Sequence, residues 1–281
     1  MRVTIFGASG LLGKELTREW SGDAVTGLGS RDADIRDANR VREVVRETNP
    51  EWIVLAAAYT DVDGCESNRD LAFAVNRDGA VNVAMAAKEI GARLVFLSSD
   101  YVFDGKKTTP YEINDVRNPQ SVYGRTKAEA EIKLLDLMPD CCITRTSWVF
   151  GTGGKCFPDT ILKLAASRPA LDVVDDQHGS PTYAVDLART IIKLCRKNAS
   201  GIVHVTNSED CSWFEFAMEI VGSSGLAAIV HPVSSQQMVR PAPRPAYSVL
   251  STASLRAFGV AMPSWRDALR RYLEERESAA K

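Results

Sequence analysis

Val3-Thr4-Ile5-Phe6-Gly7-Ala8-Ser9-Gly10-Leu11-Leu12-Gly13 carries a short apolar, β-branched run straight into three evenly spaced glycines and then into a leucine-rich segment. The run reads as a strand buried on both faces, and the segment after it as a helix. Between them, Gly7 permits a tight turn. Gly10 leaves room for a diphosphate to reach backbone N–H groups, and Gly13 lets the helix pack closely on the sheet. Unpaired N–H groups at the helix start then attract the anion. The spacing is Gly-x-x-Gly-x-x-Gly rather than the commoner Gly-x-Gly-x-x-Gly. By itself it also fits a purely structural turn, but its position after the first strand points to dinucleotide binding. Gly7, Ser9, Gly10, Leu11, Leu12 and Gly13 are the positions expected against the cofactor.

Outward from this stretch, strand-like runs alternate with amphipathic helices. Strands are predicted at Val3–Phe6, Ala24–Leu28, Trp52–Ala56, Leu94–Ser98 and Cys142–Thr146. Helices are predicted at Leu11–Trp20, Ala38–Glu47, Asp78–Ile90 and Ser121–Leu137. The alternation implies an α/β fold, a doubly wound parallel sheet of Rossmann type with right-handed crossovers. After a Gly-rich break at Gly151–Lys155 the pattern changes. A helix is predicted at Asp159–Ser167, a strand at Leu171–Val174 and a helix at Tyr183–Lys197. Ser212 with Glu215, and more weakly Ser264 with Asp267, fit helix-starting capping boxes. The proline-rich stretch from Arg240 to Pro245 reads as an ordered loop. The expected division is a dinucleotide-binding domain of residues 1–150 and about 180–210. A smaller substrate-binding subdomain, mostly C-terminal, takes about 151–179 and 211–281.

Composition narrows the function classes. An apolar fraction of 45% over 281 residues supports a sizeable core, and a net charge of −2 without long single-sign runs argues against nucleic acid or an anionic membrane surface. No apolar run is long enough to span a bilayer. Met1 leads directly into the first strand, so no export signal is read. Six scattered cysteines without Cys-x-x-Cys, and isolated His178, His204 and His231, fit reduced thiols in a cytoplasmic protein and no metal site.

The second strand ends in Gly27-Leu-Gly-Ser30-Arg31, where an acidic residue would bind a ribose diol. Ser30 and Arg31 better suit a 2′-phosphate, which favours NADPH over NADH. A solvated arginine is the alternative. Further on, Tyr123 and Lys127 stand four apart, on one face of a helix. Ser99 ends the fourth strand, at the edge where parallel sheets bind ligands. These groups suit carbonyl reduction: a phenol to give a proton, an ammonium to lower its pKa and a hydroxyl to stabilise the developing oxyanion. A Tyr–Lys pair alone is commonly a pair of surface neighbours. Joined to the glycine turn and a strand-terminal serine it carries more.

At this point the chain resembles the extended short-chain dehydrogenase/reductase superfamily, and within it the dTDP-4-dehydrorhamnose reductases. The matching segments, in family order, are Gly7–Gly13, Asp34–Asp37, Ala56–Asp63, Ala74–Asn76, Ser98–Gly105, Tyr123–Lys127, Arg145–Gly151, Asp175–Thr182 and Arg244–Ser248. The resemblance implies that Asp34 and Ile35 flank the adenine and that Ala56, Ala57, Ala58, Thr60 and Ser98 line the dinucleotide. It implies that Asp100, Tyr101 and Trp148 sit near the sugar and that Arg244 meets the substrate diphosphate. Each has a bland alternative: a tight strand–helix junction, a turn residue, a core tryptophan or a solvated arginine. The implied reaction reduces the C4 ketone of dTDP-4-dehydro-6-deoxy-L-mannose to dTDP-L-rhamnose, with a nucleotide-sugar as the only partner beyond NADPH. NADH and a homodimer are left open. Ser99 stands where the family often has Thr, Leu11 where it usually has Gln, and Ser251 where it has Asp. Glu15 matches one carboxylate of a metal-bridged dimer contact seen in some members, but Val185 replaces another. Two alternatives remain: a reductase of another nucleotide-linked keto-deoxysugar, and a binding protein like the regulatory subunit of methionine adenosyltransferase. Asp175–Thr182 and the full Ala56–Asp63 segment favour the reductases.

Overall fold

The computed structural model describes residues 1–279; the last two positions of the expected C-terminal subdomain lie outside the described residues. Six strands build the central sheet: β1 (Arg2–Phe6), β2 (Ala24–Leu28), β3 (Trp52–Leu55), β4 (Arg93–Ser99), β5 (Cys142–Thr146) and β6 (Gly201–His204). Their order is β6-β5-β4-β3-β1-β2, and every pair is parallel. This is the doubly wound sheet expected from the sequence. The five predicted strands form, with ends shifted by a residue at most. β6 was not foreseen. It has four residues and pairs with β5 from Gly201↔Cys142 to His204↔Arg145.

Alternate strand residues serve opposite faces, as the strand's two-residue period demands. Phe6, Ile53, Leu55, Phe96 and Ile143 pack beneath helices Ala38–Thr48, Ala80–Ile90 and Val122–Leu137. Val3, Ile5, Val54, Val95 and Val203 pack against Leu16 and Trp20 of helix Leu11–Glu19 and Leu187, Ile191 and Leu194 of helix Ala184–Arg196. With both faces covered, the strands read as nearly continuous apolar runs.

The helix expected to start at Asp78 belongs to a longer helical run. Short helices Val62–Ser67 and Arg69–Phe73 lead through a π-helical turn, Ala74–Gly79, into Ala80–Ile90. The wide turn carries Asn76, which accepts from the Tyr59 N–H (2.7 Å) and donates to Tyr59 O (3.0 Å) and Thr126 Oγ1 (3.1 Å). It thereby ties the exit of β3 to helix Val122–Leu137.

A third core lies away from the sheet. Phe150, Ile161, Leu171, Tyr183, Phe216, Trp265 and Tyr272 pack together. Strand Ala170–Val174 pairs there with Ile229–Val233, not with any strand near it in sequence. The Ser212–Glu215 capping box forms in both directions (3.1 and 2.8 Å). Ser264 accepts from Asp267 N at 3.2 Å. Residues Arg240–Pro245 form neither helix nor strand. The six cysteines are buried and free, and no described helix is long and apolar enough to cross a membrane.

Candidate active site

A cleft of about 710 Å³ runs along the carboxyl ends of the strands. Its floor begins at the glycine turn. Gly7 has φ +89°, and a Cβ there would come within 2.5 Å of Ala57 N; a Cβ on Gly13 would come within 2.1 Å of Gly7 O. The first demand is conformational, the second is close approach of helix to turn. Gly10 is the N-cap of helix Leu11–Glu19 and offers no side-chain cap, so no side chain takes the first helical N–H groups. A Cβ on Gly10 would meet only Gly7 O, at 3.3 Å. This open, donor-rich cradle fits a dinucleotide diphosphate. Ser9, Leu11 and Leu12 line the cleft beside the three glycines, as do Ser30, Asp34, Ile35, Ala56, Ala57, Ala58 and Thr60.

Arg31 is exposed and stands outside that lining. The chain turns after Gly29, where Asp32 accepts from Gly29 N (2.7 Å), and it is Arg36 that reaches the cleft. Arg36 pairs with Asp34 at 2.5 Å, which holds the Asp34 carboxyl below its ordinary range. Within Asp34–Asp37, no local sequence signal sets Arg36 apart from Arg31 as the arginine that lines the cleft.

β4 and helix Val122–Leu137 carry the candidate acid–base groups. Ser121 caps that helix by accepting from Gly124 N (3.1 Å). A Cβ on Gly124 would lie 2.2 Å from Tyr101 O, so the glycine lets the helix start press on the turn after β4. Ser99, Tyr123 and Lys127 all line the cleft, with Ser98, Asp100 and Tyr101. Lys127 Nζ donates to Leu97 O at 2.8 Å and sits 4.7 Å from the Phe96 ring centre. Burial lowers its pKa to about 8, against the pull of Glu131. Burial raises the Tyr123 phenol, Asp100 pushes it further, and the Ser99 hydroxyl works the other way. Ser99 Oγ donates to Asp100 Oδ1 (2.8 Å) and accepts from Tyr101 N (3.2 Å). Asp100 is raised to about 6, chiefly by burial. Asp100 Oδ2 and Thr146 Oγ1 are buried in the cleft wall without protein partners, and they suit the hydroxyls of a sugar. The Tyr101 ring meets the Tyr123 ring edge-on at 5.6 Å. Ser98 turns its hydroxyl away, donating to Glu131 at 2.5 Å.

Trp148 lines the cleft and belongs equally to the third core. It stacks on Trp213 (3.4 Å, 7°) with φ +47°, a strained backbone for a bulky residue. Gly179 makes room for its indole, since a Cβ there would come within 2.6 Å. Arg244 is not in the cleft lining. Its fork is taken by both oxygens of Asp63 and by Ala242 O (2.7 Å), contacts invisible to a local reading because Asp63 lies far away in sequence. Thr146 at the end of β5, Ser147 just past it, and Lys155 also line the cleft. The rule that ligands meet the carboxyl ends of strands could have found the first two, and the glycine-rich break the third.

A family model described as "RmlD substrate binding domain" matches residues 1–278. The spore coat polysaccharide biosynthesis protein SpsK of Bacillus subtilis is 43% identical, over 99% of each chain. A dTDP-4-dehydrorhamnose reductase of Streptomyces griseus is 41% identical, over 95% of this chain and 91% of its own. The crystal structure of the dTDP-4-dehydrorhamnose reductase of Bacillus anthracis in complex with NADP superposes with a TM-score of 0.95 at 40% identity, covering 98% of this chain and 99% of that one.

Proposed function

Since this chain belongs to the RmlD substrate binding domain family, which takes in the dTDP-4-dehydrorhamnose reductases, we propose how its cleft divides the work of that reaction. The protein reduces the C4 ketone of dTDP-4-dehydro-6-deoxy-L-mannose to dTDP-L-rhamnose with NADPH. Bound NADPH supplies the hydride to the carbonyl carbon. The Gly7–Gly13 turn holds its diphosphate, and Ser30 with Arg36 faces its 2′-phosphate. Asp34, Ile35, Ala56–Ala58 and Thr60 line the path between.

The carbonyl oxygen gathers charge between Ser99 and Tyr123. Ser99 gives it a hydrogen bond, and Tyr123 gives it the proton that completes the alcohol. Lys127, protonated below about pH 8, draws electron density from the phenol and lowers the barrier to that transfer. Asp100, Thr146, Tyr101 and Trp148 hold the sugar. Residues 1–150 with about 180–210 form the dinucleotide-binding domain, whose strand ends also carry Asp100, Tyr101, Thr146 and Trp148 to the sugar, and the remainder closes on the nucleotide-sugar. A third core drawn mostly from that remainder, with Phe150, Tyr183 and Val185 joining it from the first domain, supports this division. The cytoplasm, where nucleotide-sugars and NADPH are made, is the compartment this chemistry suits.

The observation that carries the reading is one cleft holding both an anion cradle and the Ser99–Tyr123–Lys127 set. The test mixes protein, NADPH and the keto-sugar and follows nicotinamide absorbance. Tyr123→Phe is expected to lose roughly 10²–10⁴-fold in kcat while binding NADPH normally. Wild-type protein that leaves the absorbance unchanged would overturn the assignment.

A further inference from the structure

Beneath the cleft, a largely buried set of charged side chains extends along the helix from Lys127. Glu131 lies one turn beyond Lys127 on the same helix and is fully buried. It accepts from Ser98 Oγ (2.5 Å), from Arg145 Nε and Nη2 (2.9 and 2.6 Å) and from Arg117 Nε (2.6 Å). Arg145 is fully buried, and Arg117 is about a quarter exposed. Burial pushes the Glu131 carboxyl up, but Arg145, Ser98 and Arg117 together bring it below its ordinary value, so it is ionised. Behind Arg145, His204 of β6 is held to about 3 by burial and by that guanidinium, and is neutral. Lys127 itself is faced by Cys65 from helix Val62–Ser67 and by the uncharged Phe96 ring of β4.

We infer that Glu131 is a positioning residue for the reduction: it pins the helix that carries Lys127 to β4 and keeps that buried ammonium charged. The geometry has two parts. On one face of one helix, Lys127 grips Leu97 O and Glu131 grips Ser98 Oγ, successive residues of β4, so the helix cannot slide along the strand that presents Ser99. Lys127 has no carboxylate of its own within bonding reach among the described residues, and Glu131 is the acidic group whose charge favours its protonated form. The two arginines compensate the carboxylate, so that it is both buried and ionised.

This inference rests on the reductase reading, so its test has a readout independent of turnover. Lysine is labelled with ¹³C at Cε, the Lys127 signal is assigned with Lys127→Arg, and its titration midpoint is followed by NMR alongside the pH profile of kcat. Glu131→Gln is expected to lower the midpoint by about one pH unit and to move the alkaline fall of kcat with it, with the KM for NADPH within about twofold of wild type. Glu131→Asp is expected to restore most of the midpoint. Arg117→Gln removes a counter-charge from a partly exposed position and is expected to raise the midpoint, the opposite sign. Should Glu131→Gln not fold, Arg117→Gln decides. A purely structural tether moves no midpoint, and an unchanged midpoint in folded Glu131→Gln or Arg117→Gln overturns the inference. Midpoints that move as stated in a protein without keto-sugar reductase activity would keep the electrostatic role and remove the reductase reading instead.

Discussion

Lys127 holds a positive charge where water scarcely reaches, and that has a thermodynamic signature separate from catalysis. Burial lowers its pKa to about 8, so between about 8 and the free-lysine value near 10.4 the native state binds fewer protons than the unfolded chain. Native stability therefore rises with pH across that window. Below pH 8 the chain carries the full penalty, roughly 3 kcal/mol. Lys127→Met removes the penalty and loses the bond to Leu97 O and the contact of the ammonium with the Phe96 ring. Urea unfolding at pH 7 is expected to show the variant about 1–2 kcal/mol more stable than wild type while it is almost inactive, with the gain fading by pH 10. An equal gain at both pH values would mean packing, not charge, is responsible. The same pKa places the alkaline fall of kcat near pH 8. At the cleft's other end, Arg36→Ala is expected to lower the ratio of kcat/KM for NADPH to that for NADH about tenfold or more, whereas Arg31→Ala changes it little. The reverse result would restore Arg31 as the 2′-phosphate ligand.

The strand–turn–helix element that opens the chain separates two uses of glycine. At Gly13 a Cβ would overlap Gly7 O at 2.1 Å, both atoms belonging to packed backbone. Gly13→Ala is thus expected to cost several kcal/mol of stability and to spoil the turn. At Gly10 the nearest atom is 3.3 Å away, so Gly10→Ala is expected to keep Tm within a few degrees yet weaken NADPH at least tenfold by crowding the anion. Thermal melts with a nicotinamide fluorescence titration check both. If Gly10→Ala binds NADPH normally, the cradle is not where the diphosphate sits. This element was legible because its signals are local: an apolar run, fixed glycine spacing, then helical periodicity. The same holds for the tyrosine–lysine spacing. What escaped the sequence is either too short to show a period or depends on distant partners. Helix Val62–Ser67 is six residues long and is started by Asp61, which accepts from Gly64 N (2.9 Å). The π-helical turn answers to Tyr59 and Thr126 through Asn76. β6 is short and finds β5 some sixty positions upstream. Arg36 and not Arg31 lines the cleft, after a turn in which Asp32 accepts from Gly29 N.

Across the whole molecule, the cleft lies between parts of the chain that are pinned together at its mouth. At one side, Asp63 on helix Val62–Ser67 holds the proline-rich loop: it accepts from Ala242 N (3.1 Å) and from both arms of Arg244, with Arg240 at 3.8 Å. Pro245 presses on Gly105, where a Cβ would come within 2.5 Å, and the Arg244 guanidinium lies beside Tyr101. At the other side, Lys14 on the first helix donates to Gly153 O (2.7 Å), and Arg18 pairs with Glu275 (2.6 Å). The Asp63–Arg244 contact is partly buried and two-pronged, which places it among the stronger ion pairs. It lies beside Tyr101 of the cleft wall and away from the glycine cradle. Breaking it should therefore loosen substrate binding and leave the cofactor alone. Asp63→Asn and Arg244→Met are each expected to raise the KM for the keto-sugar about tenfold and to leave the Kd for NADPH within about twofold. The double variant should be little worse than either, with a coupling free energy of about 1.4 kcal/mol, the tenfold loss counted once, because each single change already breaks the same contact. Additive effects in the cycle would mean that Arg244 meets the substrate directly and that Asp63 acts separately. An equal loss of NADPH affinity would mean that the contact shapes the whole sheet edge and not only the entrance.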